Sequence, residues 1–333
     1  MAYGKRWRYG VKALIFKDRH RMVMETRPDP TPGPGEVVLD VIACGICGSD
    51  VEGYVGRPGM ASRRVPPLIL GHEFVGRVRE GPSEWLGRTV AVYPFVTCET
   101  CGYCRQGMHH LCPQRELIGL HRPGALAERV AVPIRCLFPL PEGIAAWRGA
   151  LAEPLAVAWH AVSLADPLLG RRVRVIGGGT IGFLTAWLAR RAGANVQVVE
   201  IHPGRRAFLQ QQGIPALERG HEPMDVVIDT VGGTETHRDA ISGVKPGGTA
   251  VIVGLHDDET ALSMYDVVLG ERRIQGSYAY TLDDFRRALS LVKELPETFV
   301  TRWPLTRGAE AFAALAAGQA PSLKILLEPG HEG

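Results

Sequence analysis

Asparagine occurs once in 333 residues, at Asn195, and lysine six times against 32 arginines. A GC-rich genome accounts for the first scarcity, and so does the loss of a heat-labile residue type, although few lysines run against the usual thermophilic trend. A dominant charge is lacking too. The 38 basic and 35 acidic side chains leave a formal charge of +3, no support for a nucleic-acid groove or an anionic membrane surface as the main partner. No apolar run approaches the ~18 residues of a membrane span; the longest, Leu155 to Ala165, has eleven and contains His160. The N-terminal Lys5, Arg6, Arg8 and Lys12 are not joined to the uninterrupted apolar stretch of a secretory signal. An even-numbered disulfide framework is also absent. The seven cysteines are 44, 47, 98, 101, 104, 112 and 136, four of them within fifteen residues. That count and spacing argue for metal ligation in a reducing compartment, by default the cytoplasm.

What remains is 45% hydrophobic and 22% charged, the balance of a globular chain long enough for two domains. Up to about residue 156 the texture is mostly β. Short apolar stretches (12–16, 37–42, 74–78, 89–92 and 126–132) are divided by turn signals such as Pro32-Gly33-Pro34-Gly35. After Pro154 strands alternate with helices: 172–176, 196–199, 226–230, 250–253 and 273–276 read as strands, with helices over 180–191, 205–212 and 234–242. That alternation predicts a parallel sheet covered on both faces. An amphipathic helix over 281–294, a helix over 308–317 and a strand over 323–327 complete the chain.

The strand at 172–176 runs directly into Gly177-Gly178-Gly179-Thr180-Ile181-Gly182 and then a helix. In that context a G-x-G-x-x-G has a mechanical meaning. Gly177 permits the tight turn, Gly179 lets backbone approach a pyrophosphate, Gly182 allows close helix–strand packing, and the helix N-terminus supplies N–H groups to phosphates. Glu200 ends the next strand, eighteen residues after Gly182, where a carboxylate accepts hydrogen bonds from ribose hydroxyls. Its charge favours NAD over NADP; Arg205 and Arg206, just beyond, leave room for a 2′-phosphate.

Two sets of candidate metal ligands differ in character. Cys98-x2-Cys101-x2-Cys104-x7-Cys112 offers four thiolates in one loop, which satisfy tetrahedral zinc and leave no open position. A redox pair, an iron–sulfur cluster and a nucleic-acid-binding zinc ribbon compete with that reading. The second set is dispersed: Cys47-Gly48-Ser49-Asp50, Gly71-His72-Glu73 and Glu153-Pro154. A thiolate, an imidazole and one or two carboxylates form a mixed site that keeps a coordination position open. Spacing alone does not join them.

These motifs, in this order along essentially the whole chain, resemble the zinc-dependent medium-chain alcohol dehydrogenases, in the sorbitol, threonine and polyol branch. The resemblance implies a GroES-like β-barrel catalytic domain at 1–156 and 279–333 around a doubly wound Rossmann domain at 157–278. It also implies two zincs per chain, NAD(P), a small alcohol substrate and a homodimer or homotetramer. Cys47, His72 and Glu73 would ligate the catalytic zinc; Glu153 matches a position that is a ligand in only some members. Ser49 would take the substrate's hydroxyl proton while zinc polarises the oxygen and hydride leaves for nicotinamide. Where many relatives continue that relay with a histidine, this chain has Glu52. Cys44 and Cys136 are expected to be buried. A non-catalytic dinucleotide-binding zinc protein is the alternative of another class.

One spacing is unusual. A Rossmann crossover helix takes about ten or more residues, yet only seven, Glu218 to Met224, separate a short third strand ending at Leu217 from the fourth. The helix there is predicted to be missing.

Overall fold

β-branched and aliphatic residues alternate with polar ones in the N-terminal region, so its strands bury one face and meet in antiparallel pairs. The computed structural model describes residues 10–165 and 167–330; Lys5, Arg6 and Arg8 lie outside them. Two compact units emerge, one running to Glu153 and resuming at Leu289, the other Pro154–Ala288. The sequence-based division placed those junctions at 156 and 278.

In the first unit a seven-stranded sheet is built around Glu36–Gly45. That strand pairs antiparallel with Glu73–Glu80, Arg129–Pro133 and Lys324–Glu328. Thr89–Val92 and Leu137–Pro139 extend one side, and Val300–Pro304 lies parallel to Lys324–Glu328 on the other. A smaller sheet joins Val11–Asp18, Arg21–Arg27 and Leu68–Ile69. One apolar core, including Leu14, Leu39, Phe74, Leu126, Phe312 and Leu327, fills the unit. Cys44 and Cys136 are buried, as expected.

The second unit is a six-stranded parallel sheet. Its spatial order is Ala216–Leu217, Asn195–Val199, Arg172–Ile176, Met224–Asp229, Val244–Ile252, Arg273–Gly276. Counted along the chain this is 3-2-1-4-5-6, the doubly wound order that places a ligand crevice at the reversal between first and fourth strands. Helices Thr180–Arg191, Pro203–Gln211 and Thr234–Ser242 provide crossovers. Residues 218–223 contain no helix. The short third crossover is a loop that wraps the side chain of Arg174. This arginine, on the central strand, is 3% exposed and donates from Nη2 to the Glu222 carbonyl at 2.6 Å. A Cβ at Gly220 would lie 2.7 Å from its Nε, so the loop closes on the guanidinium through a glycine.

Candidate active site and metal centres

The dinucleotide loop is shaped by its glycines. Gly177 has φ +93°, and a Cβ there would press on Val231 and Thr230 at 2.7 and 2.8 Å. At Gly182 a Cβ would lie 1.9 Å from the Gly177 carbonyl, so helix and strand touch backbone to backbone. Above Gly179, by contrast, the nearest atom to a built Cβ is Arg205 Nη1 at 4.0 Å. That open space is where a pyrophosphate would sit. Helix Thr180–Arg191 begins at once, and its first backbone bond runs from Phe183 N–H to Gly179 C=O at 2.9 Å. The N–H groups just ahead of it, at Ile181 and Gly182, have no acceptor within the helix. Glu200, 5% exposed, accepts from Gly178 N–H and from His202 N–H, both at 2.7 Å. Arg205 Nη1 stands 3.7 Å from the same carboxylate.

The four cysteines of 98–112 converge with their sulfurs within 4.8 Å of one another. Cys101 Sγ and Cys104 Sγ are 3.5 Å apart, Cys112 Sγ and Cys98 Sγ 3.6 Å. Backbone N–H groups of Thr100 and Cys101 lower the Cys98 thiol to about 6, whereas burial and the neighbouring thiols push Cys104 up to about 12. Four sulfurs held this closely match the ligand set of a divalent cation that stabilises all of them as thiolates.

The dispersed set is assembled by strand register. Gly45, last residue of the central strand, lies opposite Glu73 on one neighbour and Leu326 on the other. A Cβ at Gly45 would sit 2.1 Å from Glu73 Oε2 and 3.0 Å from Lys324 Cε, so only glycine lets these side chains cross. Cys47 then caps helix Gly48–Val55 and puts Ser49 and Asp50 in its first turn. Gly71, at φ +101° and tight against Cys44 Sγ, turns the chain so that His72 enters the same space. The ligand atoms of Cys47, His72 and Glu73 fall within 4.8 Å of one another. Desolvation and the negative charges of Glu73 and Asp50 push the Cys47 thiol up to about 11, which a bound cation would reverse. The donor set therefore fits zinc with one position open. Glu153, 7% exposed, is not among the three mutually close groups.

Around these three lies a layer of buried charge. Asp50, 1% exposed, approaches His72 Nδ1 with Oδ2 at 3.6 Å. Arg64 donates to Asp50 Oδ1 from Nε at 3.0 Å and from Nη2 at 2.8 Å, and from Nη2 to Ser49 Oγ at 2.8 Å. The Ser49 hydroxyl donates to Cys47 Sγ at 3.2 Å. Lys324, also buried, pairs with Glu73 and donates to the Ile46 carbonyl at 2.9 Å. Burial alone would lower its pKa, but Glu73 and Cys47 hold it above the ordinary lysine value. Glu52 pairs with Arg57, just past the C-terminal end of that helix, and Arg64 donates to Ser49 Oγ. Arg64 was not anticipated; one arginine among 32, in a loop, carries no spacing signal. Lys324 falls within the closing strand predicted over 323–327, where a lysine opening an apolar run is a hint.

Comparison with known proteins decides the family. Residues 33–142 match the alcohol dehydrogenase GroES-like domain, and residues 180–294 the zinc-binding dehydrogenase domain. The L-galactonate-5-dehydrogenase of Escherichia coli K12 is 30% identical over 324 residues, 91% of this chain and 94% of that one. The chain belongs to the zinc-dependent medium-chain alcohol dehydrogenases. Within this family it is also similar to an L-threonine 3-dehydrogenase of Saccharopolyspora erythraea, 30% identical over 90% of this chain and 94% of that protein. A crystal structure of a zinc-binding dehydrogenase from Sinorhizobium meliloti 1021, bound to NADP, superposes with a TM-score of 0.87. It is 30% identical and covers 97% of this chain and 100% of its own. This medium-chain dehydrogenase is thus an NAD(P)-dependent enzyme of the polyol and threonine branch, with GroES-like and Rossmann-like domains.

Proposed function

We propose that the chain oxidises and forms secondary alcohols of polyol or sugar type, with NAD preferred to NADP. The carrying observation is the convergence of Cys47, His72 and Glu73 beside the Ser49 hydroxyl. These three residues would hold a zinc ion, and Cys98, Cys101, Cys104 and Cys112 a second. A zinc held by the first three would supply Lewis acidity to a substrate oxygen, and a nicotinamide cofactor would accept the hydride. Ser49 Oγ would accept the substrate's hydroxyl proton while releasing its own to water, so that it relays the proton and does not store it. Arg64 donates to the same oxygen, and a guanidinium offers no acceptor, so the proton does not travel onward through it. Gly179 and the helix behind it seat the pyrophosphate, and Glu200 orients the ribose.

Glu200 supports NAD, because its carboxylate would face a 2′-phosphate; Arg205 at 3.7 Å softens the discrimination. Assays with polyols, sugar acids, sugars and L-threonine, each with NAD and NADP, test the reading. Turnover of a sugar-derived secondary alcohol with at least about tenfold preference for NAD is expected. Turnover of L-threonine alone would move the enzyme to its amino-alcohol relatives. No turnover with any secondary alcohol would sink the proposal.

A homo-oligomer is part of the reading. The last strand of the parallel sheet, Arg273–Gly276, is exposed along its length, and Met264, Tyr265, Val268 and Leu269 are exposed on the short helix before it. An open edge beside that much apolar surface is a pairing site for a second copy. The seven cysteines, none in a disulfide, support a reducing compartment such as the cytoplasm. No helix among the described residues is long and apolar enough to cross a membrane.

A further inference from the structure

We infer that Arg64 is a positioning residue for the Cys47–His72–Glu73 centre, acting on two of its three protein ligands at once, His72 through Asp50 and Cys47 through Ser49. The inference rests on the reading of that centre as a metal site. A single guanidinium, 4% exposed, reaches the two neighbours from one side. Nε and Nη2 both donate to Asp50 Oδ1, which leaves Oδ2 for His72. Neither Asp50 Oδ2 nor His72 Nδ1 has a hydrogen-bond partner elsewhere among the described residues. Their 3.6 Å separation is a small closing movement from a carboxylate–imidazole bond. Such a bond sets the tautomer of a ligating histidine and turns its other nitrogen to the metal.

The other half of the bridge runs to Cys47. Arg64 Nη2 donates to Ser49 Oγ, and with that lone pair engaged the hydroxyl proton is directed to Cys47 Sγ. The remaining nitrogen, Nη1, donates to Met60 Sδ, a weak acceptor, at 3.7 Å. The side chain reaches this place across Gly53, where a Cβ would stand 2.3 Å from Arg64 Cδ. A planar fork with several fixed donors serves two partners in different directions; a lysine's single ammonium does not.

Metal release from the full-length zinc-loaded protein tests this, with the four-cysteine site as internal reference. Zinc transfer to a chelator is followed for wild type, Arg64→Ala and Arg64→Lys, with the thermal midpoint of each zinc-loaded variant. Two phases are expected in wild type. In Arg64→Ala one phase should quicken by about 10–100-fold, the scale for lost ligand support, while the other keeps its rate. Arg64→Lys should keep most of the thermal midpoint yet still release one zinc faster. If Arg64→Ala does not fold, Arg64→Lys decides alone. Wild-type rates for both zincs in a folded variant would overturn the inference, as would equal acceleration of both, the signature of general loosening. A single zinc in wild type would overturn the functional reading, and the inference with it.

Discussion

The two sulfur-containing centres solve opposite problems with the same element. In the 98–112 loop all ligands are local, and the loop has little else to hold it. Its large apolar side chains Tyr103 and Leu111 are 46% and 38% exposed, and its only regular pieces are a four-residue helix and a single 3₁₀ turn. Around Cys47 the reverse holds. Three strand ends, a helix N-terminus and a filled core fix the donors before any metal arrives. A metal would therefore order the first region, whereas in the second the protein orders the metal. That division matches structural and catalytic zinc, and it makes separate demands on mutation.

The sharpest way to break the contrast is Cys47→Ala. Turnover should fall by at least about 10³-fold, since Lewis acidity is lost outright, while the thermal midpoint moves by a few degrees at most. Steady-state rates beside a thermal melt read both. Ser49→Ala comes next: kcat should drop about 10²–10⁴-fold, the scale of a positioned proton acceptor, with both zincs retained by elemental analysis. Cys104→Ser should act on the other side. Limited proteolysis would then open a cut between 98 and 112, and kcat per folded molecule should stay within about threefold of wild type, because that loop contributes no reacting group. The smallest effect belongs to Glu52→Gln. Its partner is Arg57 near the surface, a pair worth about 0–1 kcal/mol, so kcat and stability should hardly move. A large loss of kcat there would place Glu52 on the proton path.

The same contrast explains what was legible from the sequence. Four cysteines in fifteen residues declare themselves, because short loops set the distances between their own ligands. Cys47, His72 and Glu73 were joined only by resemblance to a family, since the register that brings Gly45 beside Glu73 and Leu326 is non-local. The charged layer was harder still. Arg64, Asp50 and Lys324 gain their roles from burial, and nothing in a loop arginine or a strand-opening lysine states how much water it will lose. In the parallel sheet the missing crossover helix was readable as a length, Glu218 to Met224. What replaces it was not. Arg172 and Arg174 share one face of their strand, yet only Arg174 is buried, because the loop closes over it at Gly220 and Glu222.

Zinc content per folded chain addresses the central claim most directly, measured on wild type and Cys47→Ala after identical purification and removal of loose metal. Two zincs per chain are expected in wild type and one in the variant, with the dinucleotide binding equally to both. One zinc in wild type, or two in Cys47→Ala, would contradict the assignment of a catalytic metal to Cys47, His72 and Glu73.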